Sequence, residues 1–123
     1  MNEKLAYITD AKLEMKERGV LNFWIFVDYE DGMSQGVGGF CLDTWDGQLG
    51  ERIGTAYGCE MIRQLLLCLG VNDFSEMKGQ HIWVLGQGGG LSFSPRGVQA
   101  LRSNGGKEVV FEDVYDMFSE EFV

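Results

Sequence analysis

A lone histidine, His81, three cysteines, Cys41, Cys59 and Cys68, and the glycine run from Gly86 to Gly90 are the residues here whose types could support chemistry. One histidine cannot supply a two-histidine metal site or a relay of imidazoles, which leaves a Cys-His couple as the formal possibility. His81 alternates with Trp83 and Leu85 on a strand-like segment, where a packed or half-exposed structural histidine is expected. The cysteines are odd in number and form no CxxC pair. Cys59 and Cys68 fall in one predicted helix, where a rise of roughly 1.5 Å per residue sets them too far apart to bond. All three read as reduced, mostly buried thiols. The glycine run could let backbone amides converge on an anion. Gly90 leads into Leu-Ser-Phe-Ser-Pro with no lysine, so a flexible hairpin loop is expected instead of a phosphate loop. Carboxylate pairs are plentiful, but none lies in an enzymatic motif. The expectation is a protein without catalytic residues, cofactor or metal.

Charge is the more informative signal. Nineteen acidic against ten basic side chains give a formal charge of −9. Neutralising a nucleic-acid backbone requires a cluster of Lys and Arg, which this chain does not supply. From Glu108 to Val123 there are six acidic residues and no basic ones. A helix there stacks Glu112, Asp116 and Glu120 at intervals of four with Asp113 beside them, while Val114, Met117, Phe118 and Phe122 bury the other face. A solvated surface explains such a face, and acids near a helix start also favour its dipole. The functional alternative is a docking face for a basic protein or a DNA-mimicking patch, built from Glu112, Asp113, Asp116 and Glu120. A second alternative places Trp24, Phe26 and Trp83 on a small curved sheet as a stacking platform for single-stranded nucleic acid.

These groups need a scaffold, and 123 residues at 45% hydrophobic suffice for one domain with its own core, spanning 1–123. The chain has no apolar stretch of about 18 residues and no basic N-terminal region followed by a long apolar run, so neither a membrane span nor a secretory signal is expected, and the location expected is cytoplasmic. Odd positions from Leu5 to Met15 are largely apolar and mark a half-exposed strand; Val20 to Tyr29 form a second, apolar through Phe23, Ile25 and Val27 with Trp24 and Phe26 opposite. A third strand, about 35–42, contains Gly36, Gly38 and Gly39, which Trp24 and Phe26 are placed to cover. Residues 43–54 read as a loop. Thr55 caps a helix to about Leu69, whose apolar stripe is Gly58, Met61, Ile62, Leu65, Leu66 and Leu69, and Gly70 with Val71 closes it. A short turn at 72–77 precedes a strand at 80–85, resumed at 91–93. Pro95-Arg96-Gly97 reads as a turn, 98–102 and 107–111 as a hairpin about Ser103-Asn104-Gly105-Gly106, and Glu112 or Asp113 as the cap of a final short helix. The fold class is therefore α+β: a twisted antiparallel sheet packed on one central amphipathic helix, with a short C-terminal helix.

The run Gln35-Gly36-Val37-Gly38-Gly39-Phe40-Cys41-Leu42-Asp43, then Tyr57-Gly58, Ile62-Arg63, Leu65-Leu66, Gly70-Val71 and Met77-Lys78-Gly79, resembles small uncharacterised accessory proteins of tailed phages and prophages. The likeness spans roughly residues 5 to 85. It implies an accessory role inside the bacterial host cell, and such proteins commonly act by binding. The expected partner is a host or phage protein, one with a basic surface suiting best. A homodimer seam at the glycine-bearing strand and its aromatics is an equal use of that surface.

Overall fold

The computed structural model describes residues 1–122. Six strands form one antiparallel sheet in the order β3-β2-β1-β6-β7-β8: β1 (Asn2–Met15), β2 (Leu21–Tyr29), β3 (Ser34–Cys41), β6 (His81–Gln87), β7 (Ser94–Ala100) and β8 (Glu108–Val110). A separate hairpin, β4 (Asp43–Asp46) with β5 (Glu51–Gly54), follows β3 and leads into helix α1 (Ala56–Leu69); helix α2 (Phe111–Met117) follows β8. Two meanders, β1-β2-β3 and β6-β7-β8, thus meet along the β1–β6 pair, and α1 crosses the face they share. Among the described residues no helix is long and apolar enough to cross a membrane.

One sheet face is the core. Phe23, Ile25 and Val27 of β2, Ile82 and Val84 of β6 and Val98 of β7 are buried against Met61, Leu65 and Leu69 of α1. The α+β class and the central helix are as expected, down to the caps: Gly58 N donates to Thr55 Oγ1 over 2.8 Å, Gly70 is left-handed at φ 66°, and Val71 N donates to Leu66 O.

Several local expectations are corrected. The odd positions of β1 do not share one face, because a bulge between Ile8 and Asp10 reverses the alternation; Ala6, Ile8 and Ala11 are buried while Leu5 and Tyr7 turn outward. Residues 43–54 are a hairpin, whose turn is closed by Gln48 N and Leu49 N donating to Asp46 Oδ1. Pro95-Arg96-Gly97 lies inside β7; Pro95 pairs opposite Gly86 where the β6–β7 register shifts, so its missing N–H is tolerated. Residues 90–92 form a 3-10 turn rather than a resumed strand. Helix α2 starts at Phe111 with Val110 as its N-cap, two or three positions before the expected cap, so Glu112 and Asp113 occupy its first turn and neither caps it. It ends at Met117, so Glu120 lies in a following 3-10 turn (Ser119–Phe122) instead of stacking one helical turn beyond Asp116, and Met117 and Phe122, expected to be buried, are exposed. The buried stripe of α1 is rotated: Tyr57 and Cys68 join it, and Ile62 and Leu66 are only half-buried.

Candidate functional site

The end of β3, the start of β7 and both helices converge on a groove of about 480 Å³. Phe40, Tyr57, Phe111 and Tyr115 wall it, and Arg96 and Glu112 stand among its lining residues. Phe40 reaches it through local chain geometry. Gly38 and Gly39 have φ of +112° and +80°, and this kink coincides with the register shift between β2 and β3, turning Phe40 toward Phe111 with ring centroids 5.1 Å apart. Tyr57 meets Tyr115 edge-on at 5.8 Å, and Phe122 stacks on Tyr115 at 4.9 Å. Burial raises the Tyr57 phenol above its ordinary pKa, so it stays neutral throughout the physiological range.

Glu112, Asp113, Asp116 and Glu120 are all exposed, and among the described residues none enters an ion pair or side-chain hydrogen bond. Glu112 belongs to both this ridge and the groove. Glu121 differs from them. Its two carboxylate oxygens accept from Ala56 N at 3.0 Å and Tyr57 N at 2.8 Å, tying the C-terminal segment to the positive end of α1. Nothing local in the sequence marks this contact, which closes over 64 and 65 residues.

The residues with nucleophilic or acid-base potential are dispersed. Asp43, 9% exposed, accepts from Arg52 Nη2 at 2.7 Å, Leu21 N at 3.1 Å and Cys41 Sγ at 3.2 Å. The hydrogen bond from Arg52 is the main reason its carboxyl is held down to about 2, against the opposing effect of burial. Burial, then the bond to Asp43, pushes the Cys41 thiol up, away from thiolate. Cys41 was expected to be mostly buried; together with Cys59 it is instead exposed, and Cys68 alone is buried. His81 lies on the opposite, outer face of the sheet against Tyr7, ring centroids 5.1 Å apart. Among the described residues no three of His, Cys, Asp and Glu are grouped as a metal site requires.

Trp24 and Phe26 stack on each other at 5.9 Å on that outer face. A Cβ at Gly36 would stand 2.9 Å from Trp24 Cζ3 and one at Gly39 would overlap the same ring, so Trp24 covers the bare backbone of β3 as expected. Trp83 is elsewhere. It pairs with Leu5 of β1 while Trp24 pairs with Lys12, seven residues away, or about 23 Å at roughly 3.3 Å per residue. In register with these aromatics are Glu3, Asp10, Glu14, Asp28 and Glu108 against Lys12, with Arg102 beside Trp83.

No protein-family model matches this chain, and no curated protein or solved structure matches it either.

Proposed function

We propose that this chain is a phage-type accessory protein of the bacterial cytoplasm that acts by binding, engaging a basic segment of a host or phage protein at the α2 ridge and its adjoining groove. The observation that carries the reading is the juxtaposition of Glu112, Asp113, Asp116 and Glu120, exposed and without ion-pair partners among the described residues, with an aromatic-walled groove that Glu112 enters. Unpaired carboxylates on a chain of −9 charge steer a cationic partner and raise its association rate. Affinity then comes from apolar burial, and the faces of Tyr115 and Phe40 suit both an apolar side chain and a cation over the ring. A bound cation also relieves the repulsion between acids spaced four apart on α2.

The test is affinity capture from the bacterial host followed by titration of the purified partner. Reversing Glu112, Asp113, Asp116 and Glu120 to Lys should abolish complex formation with the circular dichroism spectrum unchanged. Unaltered affinity removes the ridge from the reading.

A second reading, a single-strand nucleic-acid accessory protein, is favoured by one observation, the half-buried Trp24–Phe26 stack on the outer sheet face. It predicts salt-sensitive binding of oligonucleotides, lost in Trp24→Ala; the absence of any mobility shift at low salt dismisses it.

A further inference from the structure

The groove beside α2 holds one charge of each sign. Arg96 and Glu112 are the charged residues of its lining; both are exposed, and neither enters an ion pair with the other or with any described residue. The elements that build the groove leave few other charges free. β3 carries none, and β7 carries Arg96 alone. Glu60 and Arg63, the charged residues of α1, pair with each other at 3.5 Å. Asp43 and Arg52, which follow β3, pair at 2.7 Å, and Glu121 is held by the amides of Ala56 and Tyr57. What stays open is Arg96 on the β7 side and, on the α2 side, Glu112 followed by Asp113 and Asp116. Between the two sides stand Phe40 and Tyr115, 38% and 43% exposed, with Tyr57 and Phe111 buried behind them.

This arrangement constrains the basic segment proposed for the ridge. A segment bearing cations only gains at Glu112, Asp113 and Asp116 but brings its charge beside Arg96, against aromatic walls that screen like charges less than open water does. A segment that sets a carboxylate on Arg96 and its cations along α2 gains on both sides. A groove lets the bound chain continue beyond it, so that carboxylate belongs to an Asp or Glu side chain. We infer that Arg96 is a specificity-determining residue: among basic segments it selects one in which an acidic side chain stands next to the basic ones, with apolar atoms between them over Phe40 and Tyr115. The inference rests on the ridge reading, to which it adds the repulsive contact that discrimination between related partners needs.

The probes are synthetic heptapeptides of alternating Lys and Val, acetylated and amidated: a parent, and a set in which Glu replaces each residue in turn. They are titrated against the full, isotope-labelled chain by NMR. At least one Glu-bearing peptide should bind about fivefold tighter than the parent although its positive charge is lower, the scale of one partly screened ion pair. Arg96→Gln should erase that preference, Arg96→Glu should reverse it, and Arg96→Lys should keep it. Arg96 is exposed and enters none of the fold's ion pairs, so the circular dichroism spectrum of each variant should be unchanged. A parent peptide that binds the unaltered chain tightest overturns the inference, as does a preference that survives in Arg96→Gln; the ridge reading then still stands or falls on its own partner titration. Failure of every peptide to bind also overturns it.

Discussion

Asp43 and the α2 ridge place the same functional group in opposite settings. Asp43 is buried, takes three hydrogen bonds and ties the end of β3 to the start of β2 and to the β4–β5 hairpin. Glu112, Asp113, Asp116 and Glu120 are exposed and take no side-chain partner among the described residues. Glu121, on the surface but bonded to two backbone amides of α1, stands between these extremes. A carboxylate whose charge is satisfied inside the fold is committed to stability, whereas one left to solvent keeps its field available to a partner. Sequence composition counts all of these alike.

The comparison is broken or sharpened most strongly at Asp43. Asp43→Ala leaves Arg52 without its partner and should cost about 3 kcal/mol in urea unfolding. Its pH dependence gives the same contrast a sign. The carboxyl titrates near 2 in the folded chain against roughly 3.9 unfolded, so its contribution, about 2 kcal/mol, is complete above about pH 4 and is lost as pH falls toward 2. Unfolding midpoints across that window check it, and Asp43→Asn should flatten the dependence.

Next in size is the junction that Asp43 adjoins. A Cβ at Gly58 would overlap Leu42 O, which also accepts from Thr55 Oγ1 at 2.7 Å. Ala in place of Gly inside a helix ordinarily stabilises by about 1 kcal/mol, yet Gly58→Ala should destabilise by about 2 kcal/mol because the clash is with backbone. A stabilised variant would show that β3 and α1 are not interlocked at this point. Glu121→Gln should cost less, about 1 kcal/mol, seen as earlier thermal melting, since neutral amide oxygens accept more weakly at a helix start. The smallest effect belongs to the ridge: Asp116→Asn should move stability by no more than about 0.5 kcal/mol, while lowering the rate of association with a basic partner and its salt dependence. A loss comparable to that at Asp43 would class the ridge as structural.

The elements best legible in the sequence were those whose signals are local. The Thr55 and Gly70 caps, the extent of α1 between them and the alternation of β2 need only a few neighbouring residues, and the structure has each in place. Residues 43–54 and Pro95-Arg96-Gly97 have turn-forming composition, yet pairing across the β4–β5 and β6–β7 ladders determines their conformation. The bulge in β1 was hidden because it leaves every residue extended and changes only which face each one serves.

The candidate site divides in the same way. Glu112, Asp113 and Asp116 could be named from their spacing alone, since exposure of acids at helical intervals is a local property, whereas Glu120 is exposed in the 3-10 turn after α2 and does not share that spacing. The groove could not. Phe40, Tyr57, Phe111 and Tyr115 lie on three elements, β3, α1 and α2, and Phe40 joins the others because two positive-φ glycines kink the end of β3. What the amino-acid sequence determined by itself was the secondary-structure class, the helix ends and the sign of the surface, all set by near neighbours and by charge count. Tertiary structure alone decided which acids are bonded, which aromatics meet and which side of α1 stays uncovered, because each depends on contacts between residues distant along the chain.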